Sequence, residues 1–374
     1  MKFYIKGLIF CCMLIAMSCK KDSTVPANDF DRAALAANWA NNIILPSYRN
    51  FNDAVNELDN AIRTFNTTPS GNNLSTAQGK FKNAYLAWQK CSPLGFGPAD
   101  QLLLSKNLNT FPTNVIKINT NIASGNYNLD QIANLDAKGF PALDFLLFGI
   151  GANNNSILPL YATDTQASKR KDYLAAVSDN IKTQSDNVLN AWLPTGGNYL
   201  ATFLNAKGTD VGSALGQVIN GLDYDVDVLK NYKVAIPVGI MPSSGTQTGG
   251  PLPYEVEAYY SGISSQLIQV QLSAVRDIYL GNAAGTEGVG LDDYLIKINA
   301  QRNGSSLSDV ITQQFASAIT SMQAIPDPFS SVISNNPSTV ISAYAQLQQL
   351  LVLLKTDMPS SLGVLITYND NDGD

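Results

Sequence analysis

Histidine does not occur anywhere in the 374 residues. Its absence excludes Ser-His-Asp and Cys-His catalysis, the two-histidine helix of zinc peptidases, and every mixed histidine/carboxylate metal site. A general acid or base in this chain has to be Asp, Glu, Lys or Tyr. A bound metal has to be a hard ion held by oxygen ligands. Charge is also scarce, at 14% of residues and a net −6. No basic run exceeds Lys20-Lys21 and Lys169-Arg170-Lys171, so a phosphate backbone finds little to hold, which argues against nucleic acid as a partner. Only four cysteines are present. Cys11 and Cys12 fall in an apolar leader and Cys19 at its end, which leaves Cys91 alone in the folded part, unable to close an internal disulfide. Cys91 follows Trp88 on an apolar face and reads as a small buried hydrophobe rather than a nucleophile.

The first nineteen residues read as a lipoprotein signal peptide. Lys2 and Lys6 supply the positive start, and Gly7 to Met17 is an apolar stretch too short to cross a bilayer. Ala16-Met17-Ser18-Cys19 then has the form of a lipobox, with Cys19 as the lipidated residue. The alternatives are an ordinary secretory signal cut near Ser18 and an uncleaved anchor. Residues 20–30 form a polar tether. The expected location is the cell envelope, with the chain lipid-anchored at the outer membrane and facing either the periplasm or the surface.

Beyond the tether, apolar spacing near 3.6 residues recurs in one segment after another. Phe81, Tyr85 and Trp88 share a face. So do Leu174, Val177, Ile181, Val188 and Trp192, in a helix that Pro194 and Gly196-Gly197 should end. Leu215, Val218, Leu222, Val226 and Leu229 form a third stripe, and Ile311, Phe315, Ala318 and Met322 a fourth, before Pro326. The last helix has Asn336 as N-cap and Pro337 at N1, with Val340, Tyr344, Leu347, Leu351 and Leu354 on one seam and Pro359 closing it. No segment alternates with period two. The expected fold is all-α, with two four-helix-bundle-like domains (31–195 and 196–374) packed around an inter-domain cleft. Pro237 to Pro253, rich in Pro, Gly, Ser and Thr, is long for a bundle loop and marks a disordered or functional segment.

Several pieces, taken in order, resemble the imelysin family. Ile43 to Phe51 (IILPSYRNF) is similar to its opening helix, and Ala87-Trp88 before Gly95-Phe96-Gly97-Pro98 to its second helix and turn. Gly139 to Gly149 (GFPALDFLLFG) stands where the family carries GxHxxE. Leu229-Lys230-Asn231-Tyr232-Lys233 and Val256-Glu257-Ala258-Tyr259-Tyr260-Ser261 resemble its Lys-rich helix end and its Glu-x-x-x-Ser helix. The resemblance implies an exported two-bundle protein associated with iron uptake, in a family that includes metallopeptidases. In this chain Pro141 replaces the signature histidine and Asp144 the glutamate. The paired metal site is therefore lost, and the expectation is a non-catalytic binding protein. A divergent peptidase using carboxylate ligands and a structural or interaction lipoprotein are the alternatives.

The candidate binding residues are Asp144, Glu257, Ser261, Tyr260 and Trp88. Asp144 and Glu257 are the candidate metal ligands for an iron ion held by oxygen, facing each other across the cleft with Lys138 as the nearest balancing cation. An iron species, an iron-uptake protein and the membrane are the expected partners. Structural readings stand beside each candidate. Asp144 would be favoured in the first turn of a helix opening at Pro141 whatever its role. Glu257, like Glu255, could be a solvated acid at a helix start after Pro253, and Trp88 is more simply core. Gly139 and Gly149 most simply bracket a short helix. Asp223, Asp225 and Asp227 have a calcium-like spacing but lack the loop glycine and a glutamate at position twelve, and their neighbours keep a helical period. The terminal Asp370 to Asp374 reads as a frayed acidic end.

Overall fold

The computed structural model of the chain describes residues 29–243 and 250–367. The leader with Cys19, most of the tether, the middle of the Pro237–Pro253 segment and the acidic tail lie outside the described residues.

The first helix, α1 (Arg32–Asn38), is capped by Asp31, whose carboxylate accepts the N–H groups of Ala33 and Ala34. It passes through a π-helical stretch, Trp39–Ile44, into α2 (Leu45–Thr67). The chain then folds back as α3 (Gly71–Cys91), started by the Ser70 hydroxyl on the Asn73 N–H. The short α4 (Gly139–Asp144) carries the degenerate signature and runs into a second π stretch, Phe145–Gly149. The long α5 (Ala167–Trp192) ends where Leu193 turns extended, ahead of Pro194. Four helices dominate the second half: α6 (Ala214–Val228), α7 (Ser264–Tyr279), α8 (Leu307–Gln323) and α9 (Pro337–Val352). Among the described residues the only ladder is a two-residue ribbon, Gln301–Arg302 against Ser305–Ser306. The fold is all-α, as the 3.6-residue spacing requires.

Residues from Asp31 onward form one compact unit. The turn at 194–197 is present, yet the chain on its two sides packs together. The Trp39 indole N–H donates to the Ile278 carbonyl, and Asn38 bridges the carbonyls of Gly281 and Val289. The stripes read from sequence are buried: Phe81, Tyr85, Trp88, Leu174, Val177, Ile181, Val188 and Trp192 are at most 2% exposed. Each large apolar side chain so removed from water stabilises the fold by about 1.5–3 kcal/mol. Trp88 sits against Phe51 at 5.6 Å between ring centroids. It is a core residue and has no surface to offer a ligand.

Prolines explain a local irregularity. Pro46, Pro237 and Pro359 each follow a π stretch by two residues. A proline supplies no N–H and its ring collides with the carbonyl four residues back. The residue before each one widens the turn by donating five residues back: Leu45 to Ala40, Ile236 to Asn231, Met358 to Leu353. Pro359 therefore does not close the last helix as expected. The helix continues to Leu362 and stops at Gly363, whose φ of +67° only glycine adopts freely. Asn336 does precede Pro337, but its side chain makes no capping bond and instead accepts from the Ser338 hydroxyl.

The Pro237–Pro253 segment leaves and re-enters the body at one place, where the Leu252 N–H donates to the Pro237 carbonyl at 2.7 Å.

Candidate functional site

The signature helix α4 is anchored by its first residue. Gly139 has φ +73°, and a Cβ there would fall 2.3 Å from the Leu108 carbonyl oxygen, so no other residue fits. Pro141 is the third residue of the helix, not the first, and Asp144 is its last. The first-turn dipole reading of Asp144 is thus corrected. Its environment is a buried one, at 1% exposure. One carboxylate oxygen accepts the Tyr260 N–H at 2.8 Å and the other the Ser261 N–H at 2.9 Å. Burial raises the Asp144 pKa to about 6, against the opposing pull of the Ser261 hydroxyl and those two N–H groups. Tyr260 stacks over the end of the signature. Its ring occupies the space a Cβ on Gly149 would need and lies 5.3 Å from the Phe145 ring.

Glu257 lies neither on a helix nor in solvent. The residues after Pro253 form a single 3-10 turn, Pro253–Glu255, then an irregular turn up to Ile263, before α7 begins. Glu257 is 1% exposed within that turn. Its Oε2 meets the Lys233 ammonium at 2.7 Å, and its Oε1 accepts from Asn109 at 2.7 Å and Gln89 at 3.0 Å. Lys233 also donates to the Gln89 side-chain oxygen at 2.8 Å. From Asn109 the network reaches Tyr85, whose hydroxyl donates to Asn109 Oδ1 at 2.6 Å and whose ring stacks on Phe140 of α4, centroids 4.6 Å apart. Burial first, then the charges of Glu257 and Asp144, push the Tyr85 phenol far above its usual range. Tyr85 therefore stands close enough to feel both carboxylates.

The proposed joint oxygen shell is not what these residues build. Asp144 binds backbone N–H groups, and Glu257 has a lysine and two amides. Among the described residues no three Asp, Glu or Cys side chains converge where a cation could sit. Lys138 does not balance either acid. It is buried and donates to the Leu129 carbonyl at 2.6 Å, and burial lowers its pKa. The cation that counts is Lys233, which stands in the sequence as the last residue of the Lys-rich helix end.

A cleft of 220 Å³ opens over Asp144, lined by Phe111, Pro141, Tyr254, Tyr259 and Tyr260 among others. Below Glu257 the polar network continues into α6 and the π stretch after it, Leu229–Ala235. Asp223, Asp225 and Asp227 are all at most 2% exposed. Asp227 faces Lys230 at 3.4 Å and accepts from Asn231 at 2.8 Å. Asp225 takes the Ser92 hydroxyl and has its pKa raised by burial to about 6. The triplet lies within a helix, as the period of its neighbours indicates, and not in a calcium-type loop, and unlike ordinary helix acids it is enclosed.

The imelysin family model, described as a peptidase family, matches residues 44–355. The chain belongs to the imelysin family. A curated relative, the iron-regulated protein A of Synechococcus elongatus, is 21% identical over 319 residues, spanning 82% of this chain and 80% of its own length. Two solved structures share the fold. A candidate iron-regulated protein A precursor from Parabacteroides distasonis superposes with a TM-score of 0.72 at 19% identity, over 88% of this chain and 94% of its own. An imelysin-like protein from Psychrobacter arcticum gives 0.65 at 18% identity, over 90% and 96%. Within this imelysin the signature glycine keeps a steric task, while the position after next, Pro141, offers no ligand atom.

Proposed function

We propose that this imelysin is a lipid-anchored, non-catalytic binding protein of the cell envelope that serves iron uptake, taking an iron species into the aromatic cleft over Asp144. One observation carries the reading: Glu257, the second-half carboxylate that a catalytic metal would need, is neutralised internally by Lys233 at 2.7 Å. Metal-assisted hydrolysis requires a bound water with a lowered pKa. Neither a lysine-paired glutamate nor a proline at the signature position supports one. The cleft has the opposite aptitude. The phenols of Tyr254, Tyr259 and Tyr260 that line it are hard oxygen donors, suited to ferric iron. The link to iron rests on the description of the Synechococcus elongatus relative as iron-regulated. The anchor rests on Ser18-Cys19 and the apolar segment before it. Several acyl chains, each contributing about 0.8 kcal/mol per buried CH₂, hold a protein at a membrane far better than one.

Titration of the purified chain with ferric citrate tests the reading. Saturable uptake with a tyrosinate-to-iron absorption band, weakened in Tyr260→Phe, is the expected result. Absence of uptake would favour a scaffold that binds other macromolecules. For the anchor, Cys19→Ser should move the protein out of the membrane fraction or leave it unprocessed, and a wholly soluble wild type would refute the lipobox.

A further inference from the structure

A second cavity lies away from the signature. A trough of 570 Å³ runs between the π stretch with the start of α2 on one side and α7 on the other. That is within the usual range of ligand sites, about 300–1,000 Å³. On α7 its lining residues fall at Gln266, Gln269, Val270, Ser273, Ala274 and Asp277. This is one continuous face three turns long, or about 16 Å at 1.5 Å per residue. The facing wall repeats the pattern with Ile43, Pro46, Ser47 and Asn50.

The chemistry of the lining is specific. Six carboxamides border it: Asn42, Asn50, Gln266, Gln269, Asn282 and Gln323. Asn42 donates to Asn38 and Gln269 to Ser265 and Met322, while the exposed Asn50, Gln266 and Gln323 each offer one acceptor and a donor pair, the same set a peptide unit presents. The base is aliphatic, with Ile43, Val270, Ala274 and Ile278. No aromatic ring lines it, so a pyranose ring would have no face to stack on. Charge is nearly balanced. Asp277 is engaged by the adjacent Arg276 at 2.7 Å. Lys90 is exposed and makes no ion pair among the described residues. The Asn282 side-chain oxygen meets no donor, leaving an acceptor at the trough's edge that the protein itself does not fill.

We propose that this trough binds a short extended peptide, held through its backbone by the amide walls, with one carboxylate of the peptide meeting Lys90. The length admits about five residues at 3.3 Å each. Small side chains rest on the aliphatic base, where Ser273, Ala274, Ala283 and Ala284 leave room. The site shares no lining residue with the cleft over Asp144, so the two ligands are taken up independently.

The test is fluorescence anisotropy of the purified chain with a fluorescein-labelled Ala-Ser-Val-Ser-Glu pentapeptide. Saturable binding at about millimolar or tighter is expected, as for a small ligand of modest surface. Val270→Trp, which fills the trough, should weaken it at least about tenfold, and Lys90→Ala about threefold. Tyr260→Phe, in the other cleft, should leave it unchanged. Circular dichroism of each variant separates loss of fold from loss of site, and the exposed Lys90 position keeps the test open if Val270→Trp unfolds. Failure to saturate, equal binding by both trough variants, or competition by chitotriose as effective as by unlabelled peptide would each overturn the proposal.

Discussion

Two buried regions of this imelysin are built from opposite materials. Between α2, α3, α4 and α5 the interior is aromatic: Phe51, Phe81, Tyr85, Trp88 and Phe140 lie ring against ring. Around α6 and the π stretch after it, the interior holds Asp223, Asp225, Asp227, Lys230, Lys233 and Glu257, none more than 3% exposed. The aromatic region gains stability from area and ring geometry and tolerates gradual change. The charged region is held by compensation. Each ion there is costly to desolvate, and two acids are offset by lysines, Asp227 by Lys230 and Glu257 by Lys233, while burial favours the protonated form of Asp225. The contrast assigns specificity of position to the charged region and bulk stability to the aromatic one.

The largest effect should come from unbalancing the charged side. Lys233→Ala leaves Glu257 buried without a counter-charge and should cost about 3–5 kcal/mol in urea denaturation. The double variant Lys233→Met, Glu257→Gln removes both charges and should recover most of that loss. A single variant costing less than the double would break the comparison. On the aromatic side, Phe140→Leu forfeits the stack on Tyr85 and should cost about 1–2 kcal/mol, with the same value at pH 5 and pH 7.5.

pH sharpens the contrast further. Burial raises Asp144 and Asp225 to about 6 from an ordinary 3.8. Folding therefore favours their protonated forms. That contribution is complete below about pH 4 and is lost as pH rises through about 6. The melting temperature should be higher at pH 5 than at pH 7.5. Asp225→Asn should shrink the difference in unfolding free energy between the two pH values by about 1–3 kcal/mol. A pH-independent melting temperature in both proteins would refute the assignment. The smallest effect concerns Cys91. It is buried with its thiol pushed well above the usual range, so iodoacetamide at pH 8 should leave it unmodified until the chain unfolds.

The two regions also differ in how legible they are from sequence. Apolar residues at helical spacing declare their face directly, so α3, α5, α6, α8 and α9 could be read from their stripes. The charged interior gives no such signal. Asp223, Asp225 and Asp227 read as ordinary helix acids because charge normally means surface. Leu222, Val226 and Leu229 mark only one buried face of α6, and nothing in the sequence shows that the face carrying the acids is enclosed as well. For Glu257 the sequence leaves a cleft-facing acid and a solvated helix-start acid both open, and it is Ala258 at φ +54° and the turns around it that fold the segment inward. Lys233 was visible only as part of a family-like helix end. Its partner lies 24 residues away across a loop, and no periodicity reaches that far. Asp144 was recognised from its motif position, but its ligands are backbone N–H groups, which sequence does not display.

The carboxylates which could serve a catalytic metal, Asp144 and Glu257, are satisfied by the protein's own donors. Hydrolysis of unfolded insulin B chain by the purified protein, with zinc or ferrous iron supplied and then removed by chelator, tests this most directly. No cleavage above background is expected in either condition. Cleavage that requires the metal, disappears with chelator and is abolished by Asp144→Asn would contradict it.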